Sequence, residues 1–477
     1  MTGEAIPGVR PSDPSWWFSD AIASEQGSQP PNALEGRLTV DVAIVGGGYT
    51  GLWTALALRQ RSPNLSVCLI EAALCGSGAS GKNGGLVHGY WASLAGLARS
   101  IGDDDALAVA RAGTVAQDAI RAFCQTPGRD VWWRESGNLR VSAAPAQDAR
   151  AESMVREAKR LGVPETAQAL TPAQVTARCR SPVFRGGVFL PEGANVHPAR
   201  LARALRRAAV HDGALVFENT PMTGLDRGQP NRIRTPRGEI AAREVVLATN
   251  VDLAAMPQVR PHVTVFSSYA LMTEPAPDRL VDMGWDADEG IADLRMFVHY
   301  FRKTQDGRVL MGSGSGPIGY NGDTKSSRLR EDKASAARAE RGLQRLLSGM
   351  AGVKVAKTWG GPIDVSADRL PFFRTIPGTR IHYGCGYSGH GVNPTYIGGQ
   401  CLASLILGEK DAWAALPFCT RTVPRLPPEP FRFLGGQAIR HAILACEEAE
   451  EEQRDPPLLA RFGAALPEAL GLRIGTR

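Results

Sequence analysis

The sequence predicts an α/β protein in which a nucleotide-binding parallel sheet is interrupted by strand-rich insertions. Three observations predict it. Residues 40–71, VDVAIVGGGYTGLWTALALRQRSPNLSVCLIE, run strand, glycine turn, helix, strand in the order of a βαβ unit. Strand and helix patterns alternate again between residues 187 and 250, which resumes a parallel sheet. Residues 262–320 are dominated by strands; Met296, Val298 and Tyr300 alternate with Phe297, His299 and Phe301, a sheet occupied on both faces.

Residues 1–37, rich in Pro, Gly, Ser and Asp, read as an extended arm. Its Trp16, Trp17 and Phe18 are too apolar for a free tail and imply docking in a groove. In the first unit, Val40, Val42, Ile44 and Val45 suit a strand buried on both faces. Gly46, Gly48 and Gly51 then stand as G-x-G-x-x-G around Tyr49 and Thr50. Gly46 permits the tight turn, Gly48 lets backbone approach a pyrophosphate, and Gly51 lets the helix pack closely on the strand. The helix N-terminus offers N–H groups and positive charge to phosphate. Glu71, 20 residues after Gly51, ends the second strand where a carboxylate accepts both ribose hydroxyls. Gly314, Gly316 and Gly319 repeat the spacing, but with no helix and no terminal acid they read as a hairpin end.

A second glycine cluster follows, GSGASGKNGG at 76–85, suited to wrapping N–H groups around phosphate and ring oxygens. Residues 91–180 read as mostly helical, with helices at 94–125 and 146–161 and a strand at 131–141. Thr171-Pro172 opens another helix. From 187, a helix after His197-Pro198 carries Arg200, Arg203, Arg206 and Arg207 as a basic solvated face. Residues 221–225 and 231–235 suit a hairpin, and 244–250 a buried strand ending in Ala248, Thr249 and Asn250. Strands at 263–272, 295–302 and 309–312 and a charged helix at 327–350 make up the insertion. Residues 381–392, IHYGCGYSGHGV, lead into a helix to about 407; its glycines suit a flat ligand, and its positive end suits negative charge. Glu447, Glu448, Glu450, Glu451 and Glu452 read as a solvated helix face.

The composition, 43% apolar and 21% charged with a formal charge of +6, is that of an ordinary globular chain without a nucleic-acid motif. Eight cysteines are scattered without a C-x-x-C pair, against zinc and a disulfide framework. No signal peptide or membrane-length apolar run is evident, so a cytoplasmic enzyme is expected.

Taken together, GGGYTGLWTALAL, GSGASGKNGG, VVLATN and GYSGHGV resemble the flavin-contact segments of the D-amino-acid oxidase-like FAD-dependent oxidoreductases. The look is closest to the γ-glutamylputrescine oxidases among them, through Trp359-Gly360-Gly361-Pro362 and the turn Ser366-Ala367-Asp368-Arg369-Leu370-Pro371. The resemblance implies a discontinuous Rossmann-like FAD-binding domain (38–90, 187–261, 355–410). It also implies an α+β substrate domain with a mixed or antiparallel sheet (91–186, 262–354) and a helical tail (411–477). It implies FAD, held by Gly46, Gly48, Tyr49, Thr50, Gly51, Glu71 and Ala72. Gly78, Ala79, Ser80, Lys82, Asn83, Gly84 and Gly85 would lie along the pyrophosphate and ring. Met222 would contact adenine, with Ala248, Thr249 and Asn250 nearby, and Gly389, His390, Gly391 and Val392 would sit at the pyrimidine edge. The implied reaction is oxidation of the C–N bond of an amine or amino acid, by hydride transfer to flavin N5, to an imine that hydrolyses, with O2 as acceptor. The alternatives are a dehydrogenase using another acceptor and a flavin monooxygenase. The chain departs from the family where Lys82 replaces a common Arg, and where Val309-Leu310-Met311 replaces the oxygen-activating Lys of sarcosine oxidases. A neutral amine needs no dedicated base, only a dry pocket and orienting groups. The candidates are His299, Tyr300 and Arg302 on one strand, with Trp359 as a wall; Arg302 suits a substrate carboxylate.

Overall fold

Two sheets organise the protein, whose computed structural model describes residues 14–25 and 32–469. The eight-stranded sheet is built around Gly36–Val45, which pairs in parallel with Val67–Ile70 on one side and Gly238–Leu247 on the other. Leu215–Phe217 and Ile381–Cys385 extend it in parallel. The hairpin Gly224–Asp226 with Asn231–Arg234 adds antiparallel pairs. Helices Tyr49–Arg61 and Pro394–Leu407 pack against each other so closely that a Cβ on Gly399 would stand 2.6 Å from the Trp53 Cβ. That burial is why the central strand is apolar on both faces.

The nine-stranded sheet is mixed. Its order is Ile318–Gly319, Val263–Thr273, Val309–Ser313, His299–Lys303, Gly290–Asp293, Asn138–Ser142, Gly186–Leu190, Gln168–Leu170, with Val355–Ser366 paired along Val263–Thr273. Only Asn138–Ser142 and Gly290–Asp293 run parallel. Gly186–Leu190 and Val355–Ser366, grouped by sequence with the nucleotide-binding pieces, therefore belong to this sheet. Register fixes one row across it: Arg140, Ala292, Tyr300, Gly312, Ala270, Trp359. Residues directly opposite share a face, so Arg140, Tyr300 and Trp359 look the same way. Residues two apart, Asn138 and Arg302, share it; His299 and Asp293 face the other way.

Several local expectations are corrected. Within the arm, Trp16–Ser24 is a helix rather than extended chain: Ser15 caps it, its Oγ accepting the Phe18 N–H at 3.0 Å. Residues 1–13 and 26–31 lie outside the described residues. The expected docking is present, with Trp17 fully buried beside Met272, Leu310 and Trp359. The helix expected at 94–125 breaks at Gly102, whose φ of +84° suits glycine. The 131–141 strand shrinks to Arg134–Glu135 and Asn138–Ser142. The hairpin end expected at 314–319 is absent: Ile318–Gly319 continues the antiparallel path of Val309–Ser313 along Val263–Thr273 after an interruption at residues 314–317.

Charge patterns misled twice, because their partners lie far off in sequence. Arg203 is not on a solvated face: it is buried between Glu25 and Glu218 at 2.9 and 2.5 Å. Glu447 is buried too. Its carboxylate accepts the N–H groups of Met296 at 2.6 Å and Phe297 at 3.1 Å, so the strand expected at 295–302 begins only at His299. Glu451 pairs with Arg295.

Two measurements test these packings. Trp17→Ala should cost about 3–5 kcal/mol, the range for a buried aromatic, and lower the thermal midpoint; an unchanged midpoint would show the helix undocked. Burial raises the Glu447 carboxyl to about 7, with Arg295 opposing. The unfolded chain then ionises first, and this group's stabilisation is lost as pH rises from about 4.5 through 7. Glu447→Gln keeps the acceptor oxygen but not the charge, so wild type should lose ground to the variant between pH 5 and pH 8. Parallel midpoints at both pH values would refute the buried carboxyl.

Candidate active site

The glycine turn is built from contacts that a side chain would destroy. Gly46 has φ +115°, and a Cβ there would stand 2.5 Å from the Ala248 carbonyl oxygen. A Cβ on Gly51 would stand 2.0 Å from the Gly46 carbonyl, so Gly51 serves helix–strand contact. Gly48 differs: its Cβ would meet only Ser80 Oγ, at 3.1 Å. Gly48 is the N-cap of Tyr49–Arg61 and gives no side-chain cap. The helix therefore opens toward space with its dipole uncompensated by any acid in the first turn. Glu71 accepts the Gly47 N–H at 2.8 Å and the Ala73 N–H at 3.0 Å. Burial raises this carboxyl above its ordinary range against those two bonds. Each oxygen keeps acceptor capacity for a diol.

Segments distant in sequence close on this turn. Ser80 Oγ accepts the Tyr49 N–H at 2.9 Å, and Gly76 N–H donates to Gly47 O at 3.0 Å. Ala248 N–H donates to Val45 O at 2.8 Å, bringing Ala248-Thr249-Asn250 beside the turn. Thr220 N–H donates to Glu71 O at 2.8 Å, which sets Met222 near the acidic end. Thr50 Oγ1 lies 2.8 Å from the Tyr387 hydroxyl, joining the first helix to the loop that carries Gly389, His390, Gly391 and Val392. No neighbour stands within 4 Å of a Cβ on Gly78 or Gly391.

The nine-stranded sheet lies against the 78–85 loop. Tyr300 packs its ring on Gly84, where a Cβ would stand 2.7 Å from it, and on Gly312, at 2.0 Å. Its hydroxyl lies 3.4 Å from Ser268 Oγ. The Trp359 indole N–H donates to Lys82 O at 2.8 Å, and the Lys82 chain passes Gly361. Asn83 is occupied in shaping the loop: it donates to Ser80 O at 2.9 Å and accepts from Gly85 N–H at 2.8 Å. Ser15 Oγ, at the head of the N-terminal helix, donates to Gly81 O.

Of the four candidates for chemistry, Tyr300 and Trp359 meet the glycine loop. Arg302 lies on the same face but beneath Trp17, its guanidinium 5.0 Å from that ring. Burial lowers it to about 9. His299 points the other way, against Gly342, with Nδ1 3.4 Å from Asp293. His390 is not isolated. Its Nε2 lies 3.3 Å from His88 Nδ1, and His88 Nε2 lies 3.3 Å from Arg140 Nη2. Sequence reasoning passed over Arg140, Tyr387 and Gly47. Arg140 occupies an inward position in a strand pattern, where a cation is itself a signal. A surface cavity of about 600 Å³ lies between Pro145–Arg160 and Gly186–Leu190, and none of these side chains lines it.

These residues fit FAD: a cradle closed to Cβ atoms at Gly46 and Gly51, an open helix N-terminus at Gly48, and a carboxylate at Glu71. Comparison agrees. The family model described as DAO, FAD dependent oxidoreductase, matches residues 41–405. The chain is 28% identical over 439 residues to a gamma-glutamylputrescine oxidoreductase of Escherichia coli, covering 91% of this chain and 97% of that one. A glycine oxidase structure from Geobacillus kaustophilus superposes with TM-score 0.66 at 20% identity, covering 81% of this chain and all of that one. An L-proline dehydrogenase structure from P. horikoshii superposes with TM-score 0.62 at 18% identity, covering 81% and 96%. Among the described residues, no helix is long and apolar enough to cross a membrane.

The different surroundings of Gly48 and Gly51 separate two failures. Gly48→Val should fold and lose its yellow colour, because the added carbons occupy the space before the helix. Gly51→Ala should lower the thermal midpoint even of the flavin-free protein. A Gly48→Val protein with full flavin content would remove the pyrophosphate from this turn.

Proposed function

Because the chain belongs to the DAO family of FAD-dependent oxidoreductases, we propose that it oxidises a C–N bond of an amine or amino acid to an imine, which water then hydrolyses. The observation that carries this reading is the convergence of four distant backbone turns, at Gly46, Gly76, Ala248 and Gly389, beside a sheet face led by Tyr300. Relatives that include a gamma-glutamylputrescine oxidoreductase and a glycine oxidase support the substrate class. FAD, when bound, would supply the acceptor for the hydride, and with it the two electrons, leaving the substrate carbon.

The chain's own residues do the rest. Gly389–Val392 precede Pro394–Leu407, whose N-terminal end carries no acid and favours negative charge nearby. Tyr300, held between Gly84 and Gly312, and Trp359, bonded to Lys82 O, keep water from the sheet side. The Tyr300 hydroxyl and Ser268 offer a polar contact for the amine, whose lone pair drives hydride loss. Burial raises the Tyr300 phenol, so it stays protonated.

The first reading makes O2 the acceptor. One observation favours the second, a dehydrogenase: Leu310 and Met311 are buried in apolar clusters on opposite sheet faces and offer no cation to oxygen. Anaerobic titration of the yellow protein decides the class. An amine or amino acid should bleach the flavin, and NADPH should not; bleaching by NADPH alone would make it a monooxygenase. Readmitted O2 should then restore colour with one peroxide per flavin; restoration only by a dye or quinone would establish the dehydrogenase.

A further inference from the structure

Two thiols outside the cofactor cleft face one another. Cys401 lies midway along the helix Pro394–Leu407 and is fully buried. Cys419 lies on the short helix Pro417–Thr420 and is partly exposed. The chain doubles back between them through Ala412–Ala415, and both residues pack in the apolar cluster that holds Phe418 and Trp413. Cys401 Sγ lies 3.3 Å from the Trp413 carbonyl oxygen. The two thiols also hydrogen-bond to each other, Cys401 donating and Cys419 accepting. Both are free.

The surroundings of Cys419 favour its thiolate. The Arg374 guanidinium donates to the carbonyl oxygens of Phe418, at 2.7 Å, and of Arg421, so it spans the backbone on either side of Cys419. Arg421 is itself held in place by Asp368 at 2.8 Å. The hydrogen bond from Cys401, with Arg374 and Arg421, holds the Cys419 thiol below its ordinary range, against burial and the Asp411 carboxylate. Cys401 is held the other way: burial pushes its thiol well above that range, and the bond to Cys419 keeps its proton in place. Cys446 is the other partly exposed cysteine, but burial, Glu450 and Glu447 raise its thiol. Among the eight cysteines, Cys419 alone is both partly exposed and lowered. A partly exposed thiolate beside a second thiol that can resolve it is the arrangement that oxidants select.

We propose that Cys419 and Cys401 form a reversible dithiol–disulfide pair that reacts with hydrogen peroxide. The Cys419 sulfur attacks one peroxide oxygen. An S–O bond forms, the O–O bond breaks, and hydroxide leaves to take up the proton that Cys419 had lost. The Cys401 sulfur then attacks the Cys419 sulfur. An S–S bond forms, the S–O bond breaks, and hydroxide leaves as water with the Cys401 proton. The two sulfurs are oxidised by two electrons in all, and one peroxide is reduced to two waters. Reoxidation of flavin by O2 makes peroxide, so the oxidase reading would supply the oxidant, but the pair does not depend on that reading. The disulfide ties the middle of Pro394–Leu407 to the segment that Arg374 grips.

The test treats flavin-loaded enzyme with a small excess of hydrogen peroxide at neutral pH, quenches it in acid, alkylates it in denaturant and counts its free thiols by mass. The count should fall from eight to six, with a Cys401–Cys419 cross-link in the peptide map, and dithiothreitol should restore it. Cys419→Ser should keep all its remaining thiols. Cys401→Ser should stop at the sulfenic acid, captured on Cys419 by dimedone. Cys446→Ser should lose the pair as wild type does. A count that stays at eight, a cross-link between other cysteines, or thiol loss at the wild-type rate in Cys419→Ser would overturn the assignment. If a variant does not fold, the wild-type peptide map decides alone. Failure of every amine to bleach the flavin would refute C–N oxidation and leave the thiol result standing, because the peroxide is added rather than made in turnover.

Discussion

The contact on which the structure depends is the one between Gly51 and the Gly46 carbonyl. With a Cβ only 2.0 Å from that oxygen, no other residue lets the helix start so close to the end of the strand. That closeness sets where the Tyr49–Arg61 N-terminus points, and everything that binds anions follows from the direction. Glu71 is placed by the same turn, since its carboxylate is bonded to Gly47 N–H. The 78–85 loop is placed through Ser80 on Tyr49 N–H. A second helix, Pro394–Leu407, is brought alongside by the glycine at 399 and by Thr50 on Tyr387. The cofactor cleft is thus a by-product of helix–strand and helix–helix distances that only glycine allows.

The sheet face opposite this cleft solves a different problem. It holds the guanidinium groups of Arg140 and Arg302, both buried and both lowered to about 9 by that burial. Such charges weaken a fold unless something compensates. For Arg302 the compensation is visible: the face of Trp17 lies 5.0 Å away, a cation–π contact worth about 2 kcal/mol when desolvated. For Arg140 only a neutral imidazole is in reach. The two arginines share a face and a burial but differ in what lies beside them, an indole ring for one and an imidazole for the other.

What was legible in the sequence follows interaction range. The Gly46–Glu71 unit, the hairpin of Gly224–Asp226 with Asn231–Arg234, the N-cap at Thr171 and the failure of Gly314–Gly319 as a nucleotide turn all depend on neighbours within about 30 residues, so local pattern exposed them. Tyr300 and Trp359 stood out in the sequence only as aromatic residues able to wall a pocket, and the fold brings both against the 78–85 loop. The misses needed partners far away. Arg203 looked solvated because Glu25 is 178 residues distant, and Glu447 because Met296 is 151 away. Arg140 sits on a strand short enough to look like any other, and only the register with Ala292 and Tyr300 puts it on the Tyr300 face.

The N-terminal helix shows how these layers join. Ser15 holds Gly81 O, Trp17 covers Arg302, and Asp20 bonds to His197 Nε2 at 3.0 Å and Arg200 Nη2 at 2.9 Å. Glu25 then pairs with Arg203, which shares Glu218 with Arg206, and Glu218 accepts the Cys75 N–H at 2.7 Å. One short helix therefore touches the glycine loop, the nine-stranded sheet and the helix Pro198–His211. His197 is held neutral, at about 4, by burial. As pH falls from 6.5 toward 4 the unfolded chain takes up this proton and the folded one does not, so the clamp weakens with acid. The glycine loop and the Tyr300 face of the nine-stranded sheet are consequently linked through residues 15–25. A change in either lobe reaches the other through that segment as well as through the bound flavin.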